Sequence, residues 1–130
     1  MNGLNRWVPR LIIGLAVLHF GWAFLQPNAW AAIAADGFFR GVADTALPDF
    51  WVRESSVWFM ISGIAFLALG TMSRHAVRTT GRVPAQLGWY MLAMGVPLCV
   101  FYFPVTGSWP MLAIGVLALI AARRPEGAGG

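Results

Sequence analysis

The sequence predicts an all-α protein: a bundle of four transmembrane helices with a short interfacial helix between helices 1 and 2. Of its 130 residues, 58% are hydrophobic and 11% are charged, against about 45–50% and about 25% in soluble domains. A chain this short cannot bury so much apolar area in a core, so the excess is expected to face a lipid bilayer. The basic residues are all arginines, and most of them flank apolar runs, as the positive-inside rule predicts. The net charge of +4 therefore reads as a topological signal, and nucleic acid is not an expected partner.

Three stretches without a charged residue set the number of helices. They cover residues 11–35, 55–73 and 83–122. One helical crossing takes about 20 residues, so the last stretch should hold two. The predicted helices span residues 7–26, 50–72, 84–103 and 109–122, within a single membrane domain that covers residues 1–130.

The segment between the first two helices is too polar to span a membrane and too apolar for an idle loop. Trp30 and Ile33 lie at helical spacing, Asn28 is a suitable start signal, and Gly37 is a suitable end. These residues predict a short helix lying at the membrane interface.

The third and fourth helices carry irregularities. Pro97 and Gly95 predict a kink and a small cavity in the third helix. The fourth is only about 21 Å long at 1.5 Å per residue, against a hydrocarbon core of about 30 Å. Pro104 and Gly107 therefore suggest a turn that dips below the interface.

Arginine placement predicts the orientation. The N-terminus, the loop at 73–83 and the C-terminus share most of the arginines, whereas the segment at 27–49 carries Arg40 against three aspartates. We therefore expect a multi-pass protein of the inner (plasma) membrane with both termini in the cytoplasm. A cleaved signal peptide is the alternative for the N-terminus. An uncleaved helix is favoured because His19 and Trp22 are unusual in a disposable segment.

His19 is the most informative residue, because an ionisable side chain inside a spanning helix is costly unless it is paired or faces a cavity. Trp22 and Gln26 share its helical face, at spacings of three and seven. On the second helix, Glu54, Trp58 and Ser62 share a face at i, i+4 and i+8. Estimated depths of about 10 Å for His19 and about 6 Å for Glu54 would let the two meet as an acid–base pair.

Blander alternatives stay open at each of these positions. His19 could be a neutral imidazole bonded to a neighbouring helix, and Glu54 could pair only with Arg53, Arg40 or water. Arg53 itself is expected to point away from Glu54 and to reach lipid headgroups. Tyr102, near the outer end of the third helix, could add a hydroxyl to the same outer-leaflet pocket.

Metal and cofactor signals are weak. The single cysteine, Cys99, lies in an apolar run, and no paired histidine spacing supports haem, so neither a metal nor a cofactor is expected. Two glycine pairs spaced by seven keep a face of the first and second helices slim, which favours close packing within the bundle or between subunits. They are Gly14 with Gly21, and Gly63 with Gly70.

In order and spacing, a series of short motifs resembles an uncharacterised family of small bacterial four-helix integral membrane proteins, a domain of unknown function. The resemblance covers nearly the whole chain and implies the four-helix topology, but no activity. The motifs are Gly14 with His19, Ala35-Asp36-Gly37, Trp58-Phe59 with Gly63 and Gly70, Pro84 with Leu87-Gly88-Trp89, and Pro104 with Thr106-Gly107-Ser108-Trp109.

Three functions follow as hypotheses. The first is a membrane protein that binds an apolar or lipid-like ligand in an outer-leaflet pocket lined by Trp22, Gln26, Trp58, Ser62 and Tyr102. The second is an accessory or assembly subunit, with another membrane protein or a second copy of the chain as its partner. The third is a membrane-embedded isomerase or cyclase with His19 and Glu54 as acid and base.

Overall fold

The computed structural model describes residues 3–102 and 108–123, and within these ranges the chain forms helices and no strand. The helices are α1 (Gly3–Leu25), α2 (Trp30–Ala35), α3 (Phe50–Thr80), α4 (Ala85–Tyr102) and α5 (Ser108–Arg123). The all-α fold class is therefore confirmed, as is a short helix between the first two long ones. The predicted dipping turn falls almost wholly at residues 103–107, outside the described residues.

Three of the helices, α1, α3 and α4, are long and apolar enough to cross a membrane. Large apolar side chains remain exposed along them, and only 17% of an apolar stretch of 18 residues within α3 is buried. Such surfaces are typical of helices that face lipid. The shorter α5 has 16 residues and reaches about 24 Å at 1.5 Å per residue.

The chain divides into two compact units. The first unit consists of residues 1–14 and 68–130, and the second of residues 15–67, so α1 and α3 contribute a segment to each. Each unit is described by itself below.

In the first unit, α4 and α5 pack through glycine. A Cβ built on Gly88 would lie 2.7 Å from Leu119 Cγ and 2.9 Å from the carbonyl oxygen of Gly115. A Cβ built on Gly95, where the sequence predicts a small cavity, would lie only 2.9 Å from Leu112 Cδ2. The space beside Gly95 is thus filled by a side chain of α5, because two apolar helices approach most closely where one carries no side chain.

Asn5 fastens the loop between α3 and α4 to the beginning of α1. Its side-chain Nδ2 donates to the carbonyl of Gly81 (3.0 Å), and its Oδ1 accepts from the amide of Val83 (3.3 Å). Asn5 is buried, and both ends of its amide are used. The α3 helix runs eight residues beyond its predicted end at 72 before it reaches this loop. Its 31 residues extend about 46 Å, more than a bilayer core of about 30 Å requires.

In the second unit, Gly37 ends α2 as predicted. Its φ is +79°, its amide donates to the carbonyl of Ala34, and the amide of Phe38 donates to the carbonyl of Ile33. This pair of bonds is a Schellman motif, which needs a left-handed residue and therefore favours glycine. At the other end of α2, Asn28 Oδ1 accepts from the amide of Trp30 (3.2 Å).

Candidate functional site

The imidazole of His19 lies against α3 in the second unit. Its Nε2 atom is 2.8 Å from the carbonyl oxygen of Phe59 and 3.0 Å from Ser62 Oγ. The Ser62 hydroxyl in turn donates to the same carbonyl at 2.7 Å. Of the predicted site residues, the structure therefore brings His19 and Ser62 together, and it adds the backbone of Phe59 between them.

Aromatic rings and a glycine hold the imidazole in place. His19 stacks on Phe59 with the ring centroids 3.9 Å apart and the planes 9° apart, and Phe66 meets it edge-on at 5.4 Å. A Cβ on Gly63 would lie 3.0 Å from His19 Cδ2 and 2.8 Å from Phe20 Cε1. The absence of that Cβ lets the edge of the ring that carries Cδ2 and Nε2 approach α3, which is the close packing that the Gly63 pattern predicts.

The hydrogen bonds fix the tautomer of His19. A carbonyl oxygen only accepts, so an Nε2 atom 2.8 Å from the Phe59 carbonyl must carry the proton. A neutral imidazole protonated at Nε2 has an acceptor lone pair at Nδ1. Nδ1 forms no hydrogen bond with any described residue, and it is not fully buried.

The same bonds disfavour a serine nucleophile. A histidine base must accept the serine proton at an unprotonated nitrogen. Here Nε2 carries a proton, and the Ser62 hydroxyl is directed to the Phe59 carbonyl. His19 and Ser62 therefore form a bonded polar pair within apolar surroundings, without the geometry of a catalytic dyad.

Glu54 does not join this pair. No hydrogen bond or ion pair of its carboxylate occurs within the described part of the chain. It precedes Phe59 by five residues and Ser62 by eight on α3, or about 7.5 Å and about 12 Å along the helix axis. Among the described residues no hydrogen bond joins His19 and Glu54, and His19 contacts α3 one to two turns beyond Glu54.

Arg53 differs from its expected role as a headgroup contact. Its side chain is only 7% exposed, with Nη1 at 2.5 Å from Asp36 Oδ2 and 2.7 Å from the Gly41 carbonyl oxygen. Its Nε donates to Asp49 Oδ2 at 2.9 Å. Two carboxylates and a carbonyl compensate the burial of the guanidinium, and they tie the segment between α2 and α3 to the first turn of α3.

That segment has an uncommon backbone. Phe38 and Arg40 have φ values of +63° and +57°, in the left-handed region that costs residues with a Cβ about 1–2 kcal/mol each. The Arg53 bonds to Asp36 and Gly41 close around these two residues on either side. The ion pairs thus hold a conformation that the local sequence alone would not favour.

The remaining predicted ligand residues lie on the surface. Trp22 and Trp58 are 56% and 62% exposed, and Gln26 is half-buried, all in the second unit. Tyr102 ends α4 in the first unit and is 55% exposed. A shallow depression in the second unit is lined by other residues, namely Arg40, Ala43, Asp44 and Thr45.

Sequence reasoning missed the Phe59 carbonyl that bonds to His19 and the aspartates that pair with Arg53. The i, i+4 spacing of Asp49 and Arg53 is a readable signal for an ion pair. The acceptor of His19 is a backbone carbonyl, for which no side-chain pattern exists. Among the described residues, no cluster of three or more His, Cys, Asp or Glu could hold a metal ion.

Comparison with known proteins assigns the chain to a family. Residues 3–125 match DUF6463, a family of unknown function, and because the match covers nearly the whole chain, the protein belongs to that family. No curated protein and no solved structure matches the chain.

Proposed function

We propose that this member of DUF6463 is a multi-pass membrane protein that binds an apolar, lipid-like ligand on the surface of its second unit. The binding surface, called here the His19 patch, consists of His19, Trp22, Trp58 and Ser62. The observation that carries the proposal is a half-buried, polar His19–Ser62 pair bordered by two exposed indoles. An indole offers a large apolar face to an acyl or prenyl chain, whereas a merely structural histidine needs no such surroundings.

Spacing along the helices supports treating these four side chains as one patch. Trp22 follows His19 by three residues, and Trp58 precedes Ser62 by four, so each indole lies one turn from the polar pair and on its face of the helix. Gln26 continues the α1 face one turn beyond Trp22 and is a further candidate contact. Tyr102 is kept as a candidate by the sequence argument alone.

The topology proposed for the protein has four spanning helices, with α5 as the fourth. Arginine placement supports cytoplasmic termini in the cell membrane, which assigns the His19 patch to the outer leaflet. The described part of the first unit carries arginines at positions 6, 10, 74, 78, 82 and 123 and no acidic residue. The short α5 packs against α4 through Gly88 and Gly115, and this contact supports its place within the bundle.

Photolabelling tests the ligand proposal. Protein in lipid vesicles would be irradiated with a long-chain alkyl diazirine, and the labelled peptides mapped by mass spectrometry. We expect labelling concentrated in residues 15–26 and 55–67 that an unlabelled long-chain competitor saturates. Trp58→Ala should reduce it, whereas Trp89→Ala, which removes a similarly exposed indole (57%) from the first unit, should not. Uniform labelling of all lipid-facing helices that the competitor does not saturate would refute the proposal.

A second candidate function, that of an accessory subunit, is favoured by the open glycine face of α1. No atom of the described residues lies within 4 Å of a Cβ built on Gly14 or on Gly21, and we propose that this face is available to a second copy or to another membrane protein. Gly21→Leu should then abolish a complex seen by size exclusion in mild detergent. An unchanged elution profile, or a monomer in both proteins, would contradict this candidate.

A further inference from the structure

The Nδ1 atom of His19 is a hydrogen-bond acceptor that the described chain leaves unused. The proton of the neutral ring is on Nε2, where it is donated to the Phe59 carbonyl at 2.8 Å. Nδ1 has accessible surface and no partner among the described residues. The Ser62 hydroxyl does not supply a proton to Nδ1, because it donates its own to the Phe59 carbonyl. An occupant of the His19 patch therefore meets a lone pair and must bring the proton.

The depth of His19 restricts which occupants can supply that proton. His19 lies six residues before Leu25, the end of α1, or about 9 Å along the helix. A phosphate or quaternary amine headgroup would have to leave water to reach this depth, which costs far more than one hydrogen bond returns. A single uncharged hydroxyl can enter at modest cost.

The surroundings of the ring exclude a charged partner for the same reason. Phe59 stacks on one face of His19 and Phe66 meets it edge-on, while no carboxylate is bonded to the ring within the described residues. A proton added to Nδ1 would create a cation without a counter-ion in this setting. A neutral hydrogen-bond donor is therefore the partner that suits His19 Nδ1.

We infer that His19 Nδ1 recognises the hydroxyl of a neutral lipid alcohol, meaning a long-chain or prenyl alcohol or a diacylglycerol, with its chain lying along Trp22 and Trp58. The inference rests on the proposed function, because it names the chemical class of the ligand for the same patch. It differs from general lipid contact in requiring one donor group at one depth.

A matched pair of ligands tests the inference on the unaltered protein. Competition against the photolabel would be measured for a long-chain alcohol and for its methyl ether, which has the same chain but no donor. One neutral hydrogen bond in a membrane predicts that the alcohol competes about three- to tenfold better. Equal competition by the two would overturn the inference and leave the proposed function standing. Competition by neither would overturn both.

A variant assigns the preference to His19. His19→Phe keeps a ring that can stack on Phe59 but has no acceptor, so the preference for the alcohol should vanish while the ether competes as before. His75→Gln, which alters the other histidine at an exposed position in the first unit, should retain the full preference. Retention of the preference in His19→Phe would contradict the assignment.

Nitrogen NMR gives a readout that does not depend on whether the variant folds. In protein labelled with ¹⁵N-histidine, with signals assigned by His75→Gln, His19 should show a protonated Nε2 and an unprotonated Nδ1. The Nδ1 signal should shift on addition of the alcohol and stay in place with the ether. A protonated Nδ1 in the unliganded protein, or equal shifts with both ligands, would overturn the inference.

Discussion

Replacement of Gly88 by alanine tests how closely α4 and α5 approach. The added Cβ would lie 2.7 Å from Leu119 Cγ and 2.9 Å from the Gly115 carbonyl oxygen, and neither atom is the mobile end of a side chain. Overpacking of this kind costs about 1–3 kcal/mol, and the higher helix propensity of alanine returns at most about 1 kcal/mol. Gly88→Ala should therefore lower the free energy of unfolding by up to about 2 kcal/mol, and Gly88→Val by more.

The matched control is Gly14→Ala, because within residues 3–102 and 108–123 no atom lies within 4 Å of a Cβ at Gly14. This variant keeps the propensity gain without the clash, so its stability should be unchanged or higher. Thermal unfolding in a mild detergent, followed by tryptophan fluorescence, would compare the midpoints. A loss of 1 kcal/mol corresponds to about 3–5 °C for a chain of this size. Equal rises in midpoint for Gly88→Ala and Gly14→Ala would refute the close contact between α4 and α5.

The remaining predictions concern the second unit and the topology. Arg53→Met should speed amide exchange across residues 36–49, because the segment loses both ion pairs and a carbonyl contact. Arg53→Lys should restore part of the protection. Unchanged exchange in Arg53→Met would show that these contacts do not hold the segment. Gly37→Val places a Cβ at φ +79° and should cost about 1–2 kcal/mol, seen as a lower unfolding midpoint; an unaltered midpoint would argue against the Schellman turn. In a cysteine-free background, an impermeant maleimide added to intact cells should label Thr45→Cys and leave Thr79→Cys unlabelled, and the opposite pattern would reverse the topology.

Much of the helical architecture could be read from the sequence because charge and turn residues mark its boundaries. The stretches free of charge locate the apolar segments of α1, α3 and α4, and Gly37 marks the end of α2. The prediction stopped α3 at residue 72, just before Arg74 and Arg78, whereas the helix continues to Thr80. A helix that leaves the hydrocarbon needs no apolar side chains, so hydropathy locates the membrane boundary and cannot locate the helix end.

The candidate site was predictable in part. His19 and Ser62 are both candidates from the sequence, and the structure joins them at 3.0 Å. Whether His19 meets Ser62 or Glu54 depends on the register between α1 and α3. The periodicity within a single helix does not determine that register. Gly63 helps to set that register, because only a residue without a Cβ accommodates Phe20 and His19 at this point. Counting residues from the helix ends gives the depth of His19 and of Glu54 along their own helices, but it does not give the offset between α1 and α3.

The polar groups of the second unit differ in whether their hydrogen-bonding capacity is used, and this difference indicates where a ligand can act. Arg53 contacts three acceptors through Nε and Nη1, and an apolar ligand would add no acceptor to them. Trp30 Nε1 is a donor without a partner in the part of the chain that the structure describes, but it is buried, and leaving it unpaired costs about 1–3 kcal/mol. A ligand could reach it only after the unit rearranged. His19 Nδ1 is an acceptor without a partner among the described residues and is not fully buried, so the inferred lipid hydroxyl needs less rearrangement of the protein there than at Trp30. The backbone of the His19 patch should therefore keep its conformation when the alcohol binds, and its amide exchange should slow or stay the same. Faster exchange on binding would contradict a preformed patch.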